Sequence, residues 1–552
     1  MIEVPEATVD RVFPTLTAEQ IARVAAHGCE HRVAAGEVLV EASQANTRFF
    51  LVLEGHLDIV RTIEGVEEVV VTHGPGQFTG EVNLLSGRRT LVSIRAPEDT
   101  LLIELTREEL LDLVQTDSEL SEIFMRAFIL RRVQLLTHGI GDVILIGSNF
   151  CSTTLRIKEF LVRNGHPHTF VDLDRETGVQ DLLDRFQIGY DDVPVVIVGA
   201  DTVMGSPSNR EIADRLGFNE AIDATKVRDV VIVGAGPAGL AAAVYGASEG
   251  LDTLVVESNA PGGQASSSSM IENYLGFPAG ISGQELAGRA FTQAQKFGAG
   301  VVIAEGATQL ACVRRPFAIE LEDGPQIAAR TVIIATGANY RKLDIDNLDQ
   351  FAGVGVYYGA TFMEAQLCRD EEIAVVGGGN AAGQAAVFLC RNAKQVHLIV
   401  RGDGLEDRMS RYLIRRIEEN PAIEVHTRTE VMALEGSAHL ERIRWRNRNN
   451  DSVETRGVRH LFVMTGATPC TEWLDGCLTL DGKGFIKTGR DLTSDELRAA
   501  DWPFARAPYL LETSLPGVFA VGDVRAGNVK RLASAVGEGS IAIAFVHQFL
   551  HE

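Results

Sequence analysis

Apolar and polar positions change their spacing along the chain, and each change predicts a different architecture. Apolar residues at three- and four-residue intervals predict a short helix over 17–26. Short strand-like runs follow at 36–40, 49–55, 57–60 and 68–71, separated by glycine-containing turns. Many short strands with regular turns predict a small β-roll. Helical spacing returns over 107–136 and predicts one long helix that closes this unit.

From residue 142 the apolar runs become continuous. Residues 142–147, 169–173 and 193–198 read as buried strands, with amphipathic helices over 155–163 and 180–186. Strands and helices in alternation predict a small α/β unit. The polar stretch 217–229 reads as a linker. Beyond it stand two strand–glycine turn–helix units, beginning at Val230 and Ile373.

Length and charge narrow the function. At 552 residues the chain is too long for one core, and three or four domains are expected. A net charge of −24 disfavours nucleic acid and anionic membranes as partners. The N-terminal residues lack a signal peptide's basic flank and apolar run, and no segment is apolar enough to span a bilayer. The seven cysteines, an odd count without Cys-x-x-Cys, argue against disulfides and a cysteine zinc site, and for a reducing cytoplasm. The thirteen histidines show no metal-ligand spacing, so no metal site is expected.

The first glycine unit carries Gly234, Gly236 and Gly239 with Pro237 and Ala238 between them. Gly234 permits the tight turn, Gly236 lets backbone N–H groups approach a pyrophosphate, and Gly239 lets the helix pack on the strand. Glu257 ends the next strand, where a carboxylate can accept from both ribose hydroxyls. The second unit reads Gly377, Gly378, Gly379, Asn380, Ala381 and Ala382. At the end of its second strand Val400 replaces the acid and Arg401 follows. A carboxylate would repel a 2′-phosphate and Arg can pair with one, which favours NADPH over NADH. The alternative is that Arg401, Arg408 and Arg411 form a solvated face. Ala335-Thr336-Gly337 and Thr465-Gly466 close strands near the mouths of these units, and Asp523 in Val521-Gly522-Asp523 can take a flavin ribityl hydroxyl.

These motifs, with Ala260-Pro-Gly-Gly263-Gln264 and Ile271-Glu-Asn273-Tyr-Leu-Gly-Phe-Pro278, resemble the small bacterial-type thioredoxin reductases from about Val227 to the C-terminus. The resemblance implies an FAD domain in two segments, 226–342 and 471–552, with an NADPH domain at 343–470 inserted between them. It also implies that Gln264, Asn273, Arg531, Leu532 and Ala533 lie near the flavin, and that the protein is a homodimer. One motif departs. Where the family has Cys-Ala-Thr-Cys-Asp, this chain has Gly359-Ala-Thr-Phe362-Met363. Passing electrons from flavin to a dithiol needs that disulfide and an acid, so thioredoxin's disulfide is not the expected acceptor. Cys368 reads as a packing cysteine entering the next strand.

The unit at 139–222 resembles glutaredoxins and thioredoxins. Cys151 takes the place of their nucleophile, Thr154 that of the resolving cysteine, and Val193-Pro194 that of their cis-proline. A thiol at a helix N-terminus gains thiolate stability; the alternative is an inert cysteine in a docking domain. The roll at 1–138 resembles cyclic-nucleotide-binding domains. In its phosphate cassette, Gly80 to Thr90, Glu81 would take the ribose hydroxyl and Arg89 the cyclic phosphate, whereas Leu91 and a short spacer depart from the pattern.

The expected fold is therefore multidomain: a β-roll with helices, a small thioredoxin-like α/β domain, and two Rossmann-like three-layer domains. The expected function is hydride transfer from NADPH to FAD and onward to an acceptor that the sequence does not name, with a cyclic nucleotide as effector. Two alternatives are a disulfide reductase working through Cys151, with Cys470 and Cys477 as a displaced pair if thioredoxin is reduced, and a non-catalytic redox or nucleotide sensor.

Overall fold

The computed structural model describes residues 11–552, apart from 43–47, 64–65, 81–83, 86–88, 91, 138–142, 150, 174–192, 200–201, 220–221, 224, 269–270, 272–273, 313–314, 323, 325, 346, 352–353, 361, 438, 475 and 530. The helix Ala18–Ala25 starts at a capping box in which Thr17 and Gln20 satisfy each other's backbone N–H groups. The roll follows as a four-stranded sheet, in the order Val38–Val40, Ser93–Arg95, Leu57–Ile63, Val66–His73, beside a three-stranded sheet centred on Thr100–Thr106. A cluster of Phe49, Phe78, Phe124 and Phe128 joins the roll to its helices.

The periodicity over 107–136 predicted one helix, and the structure has two, Arg107–Thr116 and Ser118–Thr137. The break is local chemistry. Asp117 is extended (φ −109°, ψ 104°), and its carboxylate accepts from the N–H groups of Glu119 and Leu120 at 3.1 and 3.0 Å. That cap opens a second helix while the apolar face continues unbroken.

The next sheet has the order Thr202–Gly205, Val195–Val198, Val143–Gly147, Thr169–Asp172. Thr169–Asp172 is parallel to Val143–Gly147, and Val195–Val198 is antiparallel to it. The helix Ser152–Arg163 begins three residues earlier than its apolar pattern suggested. The helix expected at 180–186 lies outside the described residues. The stretch read as a linker is docked instead. Gly217 ends the helix Asn209–Leu216 in the left-handed region, Phe218 is 5 % exposed, and Asn219 exchanges two 2.9 Å hydrogen bonds with the backbone of Ile303.

A larger sheet runs in the order Gly300–Ile303, Thr253–Glu257, Val227–Val233, Ile327–Ile334, Phe317–Leu321, Ala307–Ala311. Val518–Ala520 joins it beside Ile327–Ile334. Its inner strands are apolar on both faces because helices Pro237–Ser248 and Leu532–Leu550 cover one side and the strand hairpins the other. A second, all-parallel sheet takes the order Val356–Tyr357, His460–Val463, Glu372–Val376, Gln395–Ile399, Ile423–His426. A three-stranded antiparallel layer, Thr429–Gly436, Leu440–Asn447 and Val453–Arg456, packs against it. The chain leaves the first sheet and returns through an antiparallel pair, Ala338–Tyr340 with Ala467–Pro469.

Candidate functional site

The first cradle is built by steric exclusion. Gly234 has φ +105°, and a Cβ there would lie 2.4 Å from the Ala335 carbonyl oxygen. A Cβ on Gly239 would lie 1.8 Å from the Gly234 oxygen, so only glycine lets this helix approach its strand. Gly236 caps the helix Pro237–Ser248 with no side-chain hydrogen bond, which leaves the helix N-terminus open to an anion. The turn at Gly263 stands against it, since a Cβ on Gly263 would lie 3.0 Å from the Gly236 Cα. Glu257 is buried, and its carboxylate accepts from Ala235 N–H at 2.7 Å and Asn259 N–H at 3.0 Å. Burial raises the Glu257 pKa, opposed by those hydrogen bonds and by the Arg163 guanidinium.

Other predicted residues gather here. Gly522 lies against Ala238, 3.0 Å from Cβ to Cβ if it carried one. Thr336 donates to the Cys470 carbonyl at 2.8 Å, and the Gln264 amide donates to the Ala338 carbonyl. Arg531 is the N-cap of Leu532–Leu550, again without a side-chain cap, which puts Leu532 and Ala533 in an open first turn. Asp523 follows Gly522 in a short 3-10 turn. Asn273 lies outside the described residues. Glu538 escaped the sequence reading. Its carboxylate accepts from Gly522 N–H at 2.7 Å, Arg525 at 2.6 Å and Asn528 at 3.0 Å, and so fixes the turn that presents Asp523.

The second cradle repeats the device with different walls. Gly377 has φ +150°, and a Cβ would meet the Met464 oxygen at 2.4 Å. Gly379 caps the helix Asn380–Leu389 without a side-chain bond, so Ala381 and Ala382 lie in an open first turn. A Cβ on Gly378 would lie 3.1 Å from Val400 Cγ1, which places Val400 at the position where the first unit has Glu257. Asn380 accepts from Ser410 N–H at 2.7 Å and ties the 401–410 loop across the helix start. Arg401 is exposed. Glu430 nearby is held below the usual carboxylate range, first by its hydrogen bond from Arg446, with Arg448 and Arg401 adding to the effect. Arg446 and Arg448, on the covering layer, pair with Glu430 at 2.7 and 3.8 Å, and the local motif gave no sign of them.

The segment aligned with the redox motif follows the strand Val356–Tyr357 and leads into a short helix, Phe362–Leu367. Cys368 is 0 % exposed, and burial with Glu364 and Glu371 pushes its thiol far up. It closes that helix rather than entering the next strand, which starts at Glu372. Two cysteine expectations fail. Cys312 and Cys477 form a disulfide across 165 residues, so Cys477 is not the partner of Cys470 and the odd cysteine count is no guide to compartment. Spacing cannot reveal such a pair, because an outer strand and a distant loop bring it together. Cys312 follows the strand Ala307–Ala311, three strands from Val227–Val233, or about 14 Å at ~4.8 Å per strand.

Cys151 is the N-cap of Ser152–Arg163, partly buried, with no other group capping the helix. Burial pushes its thiol up, but the backbone and hydroxyl groups of Thr154 and Thr153 outweigh this and the net shift is down. Thr154 is buried beside Pro194, whose bond to Val193 is cis. At the other end of the helix Arg163 donates to the carbonyls of Ala260 and Gly263, at 3.4 and 3.0 Å, on the first cradle. The start of the same helix is tied to that cradle too: Arg156 donates to Asn209 Oδ1 at 2.5 Å, and the Asn209 amide donates to Asn259 Oδ1 at 3.1 Å.

On the roll, Gly80 has φ +106° and its carbonyl accepts from Arg131 at 2.9 Å. Arg131 is buried, and burial brings its guanidinium down to about 9. The Thr90 hydroxyl donates to the Val92 carbonyl at 3.0 Å. Arg89 reaches across to the middle unit: a Cβ on Gly217 would lie 2.8 Å from its Cγ and Nε. Glu81 lies outside the described residues.

Two open helix N-termini, each beside a glycine turn at the end of a parallel strand, define an oxidoreductase fold with paired nucleotide cradles. The chain belongs to the pyridine nucleotide-disulphide oxidoreductase family, which residues 228–539 match. Residues 30–117 match the cyclic nucleotide-binding domain. Over 327 residues the chain is 34% identical to a thioredoxin reductase of Mycolicibacterium smegmatis, covering 59% of this chain and 97% of the relative. It is 34% identical over 325 residues to that of Streptomyces coelicolor, covering 59% and 94%. Among solved structures, Lactococcus lactis thioredoxin reductase superposes with a TM-score of 0.52 at 29% identity, over 58% of this chain and 99% of that one. Among the described residues no helix is long and apolar enough to cross a membrane.

Proposed function

We propose that this chain is an FAD-dependent NADPH oxidoreductase whose acceptor is not the disulfide of thioredoxin. The carrying observation is the pair of glycine-capped helix N-termini, one beside a buried acid and the other beside Val400 and Arg401, with Arg446 and Arg448 paired to Glu430 on the covering layer. The first would hold FAD. Its N-terminus would face the pyrophosphate, Glu257 would take the ribose, and Glu538, which holds the Gly522 turn, would steady Asp523 for the ribityl chain. The second would hold NADPH, with the arginines on the 2′-phosphate. Bound together, the two cofactors supply hydride transfer and two-electron reduction of a flavin. The chain's own part is to orient them. Sheet membership supports the division at 226–342 with 471–552, and 343–470. The relatives support a homodimer.

The acceptor follows from the residues at 359–363. No cysteine stands there and no acid, so this domain lacks both the disulfide that would take the electron pair and the group that would protonate a leaving thiolate. The purified protein should be yellow, and under anaerobic conditions NADPH should bleach it faster than NADH. Equal or faster bleaching by NADH would refute the cofactor assignment.

A second reading rests on Cys151. The order of the four strands between Val143 and Gly205 and the cis bond before Pro194 support a thioredoxin-like unit, and the Cys151 thiol is lowered at a helix N-terminus. A glutathione adduct on Cys151 would then receive electrons from the flavin, directly or through a carrier. Release of glutathione on NADPH addition, abolished in Cys151→Ser, supports this reading; no release refutes it. The contact of Arg89 with Gly217 supports cyclic-nucleotide regulation, since a phosphate on Arg89 would compete with that contact. Calorimetry with cyclic AMP and cyclic GMP, and Arg89→Ala as the control, decides it.

A further inference from the structure

The second parallel sheet carries a cluster that hydride transfer does not use. His397 lies on the strand Gln395–Ile399, and Glu424 and His426 lie on its parallel neighbour Ile423–His426. His397 Nδ1 is 3.0 Å from His426 Nε2 and 3.4 Å from a Glu424 carboxylate oxygen, which is 3.7 Å from His426 Nε2. Among the described residues these three form the group whose potential ligand atoms all lie within 4.8 Å of one another.

We propose that His397, His426 and Glu424 form a binding site for a divalent transition metal of the zinc class, open at a fourth position. Three observations carry the proposal. The first is size. Zinc bonds of about 2.0–2.2 Å at tetrahedral angles require ligand atoms roughly 3.3–3.5 Å apart, and the three separations of 3.0, 3.4 and 3.7 Å bracket that value.

The second is the outer shell. His397 is 3 % exposed at its side chain, and its Nε2, buried without a hydrogen bond, faces a Glu372 carboxylate oxygen at 3.6 Å. Lys394 holds the other oxygen of Glu372 at 3.2 Å. A carboxylate on the side of the distal nitrogen is the usual outer partner of a metal-ligating histidine, and a small shift of Glu372 would complete that hydrogen bond. Trp445 covers both rings, with centroids 5.4 and 5.2 Å away, and gives the site a rigid apolar wall.

The third is access. The Glu424 side chain is 55% exposed and that of His426 17%, so an ion and a water can enter from the sheet edge. Glu454 and Arg456 are the remaining charged neighbours of His426. The ligands come from adjacent strands, which is why linear spacing gives no sign of them. His426 also borders the nucleotide loop: Val400 N–H donates to its carbonyl at 2.9 Å, and Arg428 N–H donates to Gly402 at 2.9 Å. A bound ion therefore pins the sheet edge beneath Arg401.

The test uses the full-length, flavin-loaded, tag-free protein after chelator dialysis, titrated with zinc chloride by calorimetry. One zinc per chain should bind with an affinity that falls at least ~10-fold in Glu424→Gln and in His426→Asn. Cobalt(II) in place of zinc should give tetrahedral absorption bands to the red of the flavin, lost in both variants. Glu424→Gln is isosteric at an exposed position, and an unchanged flavin spectrum confirms that each variant is folded. Absence of zinc binding, or binding and cobalt bands unchanged in both variants, would overturn the proposal.

Discussion

The two nucleotide cradles are the same backbone device with different walls. Each has a glycine at positive φ, at Gly234 and Gly377, where a Cβ would lie 2.4 Å from a carbonyl oxygen of the neighbouring strand. Each helix starts at a glycine that leaves its N-terminus uncapped. They part at two positions. The third glycine role is held by Gly239 in one and Ala382 in the other, and the strand-end residue is Glu257 in one and Val400 in the other. On the proposed function, the backbone would select a pyrophosphate, and one side chain at the strand end would select the nucleotide. A buried carboxylate suits a ribose with two free hydroxyls, and a neutral residue with arginines around it suits a 2′-phosphate.

The largest effect should come from treating the two cradles as interchangeable. Gly239→Ala puts a methyl group 1.8 Å from the Gly234 oxygen, so the helix must leave its strand at a cost of several kcal/mol, ~4 or more. The protein should purify without FAD. Ala382→Gly, the reciprocal change, should keep FAD and change NADPH affinity only a few-fold, since the second helix already stands off by a methyl. Absorbance at the flavin band against protein concentration reads both.

Arg401→Ala should come next. Losing a charged hydrogen bond of about 1.5–3 kcal/mol corresponds to a rise of about 10- to 100-fold in the KM for NADPH. KM for NADH and FAD content should stay unchanged. If both nucleotides suffer equally, Arg401 belongs to the solvated face and the 2′-phosphate is held elsewhere.

Val400→Glu brings the first cradle's acid to the second. It should weaken NADPH about 10-fold through repulsion of the 2′-phosphate while leaving NADH equal or better, on the order of 1.4 kcal/mol of changed preference. A uniform loss for both nucleotides would mean that the side chain only blocks the cradle.

The smallest effect lies outside the cradles. The Cys151 thiol is lowered in the folded chain, so its alkylation rate should reach half-maximum below the ordinary thiol value of about 8.5. Thr153→Val removes a hydroxyl that lowers the thiol and should move that midpoint up. The linkage sign follows. A lowered acid contributes stability above its unfolded pKa and loses it as pH falls through the folded one, so the variant should be destabilised only on the alkaline side.

Both cradles were legible in the sequence because close packing leaves no alternative to glycine at Gly234 and Gly377. The place of Arg401 was legible because it lies two residues past the strand Gln395–Ile399, whose end the motif fixes. What escaped depends on contacts between distant residues. Glu538 steadies Gly522 from a helix turn that carries no motif. Arg446 and Arg448 pair with Glu430 on the covering layer, and Cys312 meets Cys477 across 165 residues. The break at Asp117 escaped for another reason: an Asx cap restarts a helix without disturbing its apolar period. The docked 217–229 stretch is polar in composition, and only Phe218 hints that it packs.

The most direct measurement is an anaerobic titration of the flavin-loaded protein with NADPH, followed at the flavin band together with a count of exposed thiols. Gly359, Phe362 and Met363 supply no disulfide and no acid, and the Cys312–Cys477 bond follows a strand about 14 Å from the first cradle's central strand. Reduction should therefore end at about one NADPH per FAD, the stoichiometry of a two-electron flavin without a coupled disulfide, with no new thiols. Uptake of about two NADPH per FAD, with two thiols appearing, would contradict the account, because electrons would then be leaving the flavin for a disulfide.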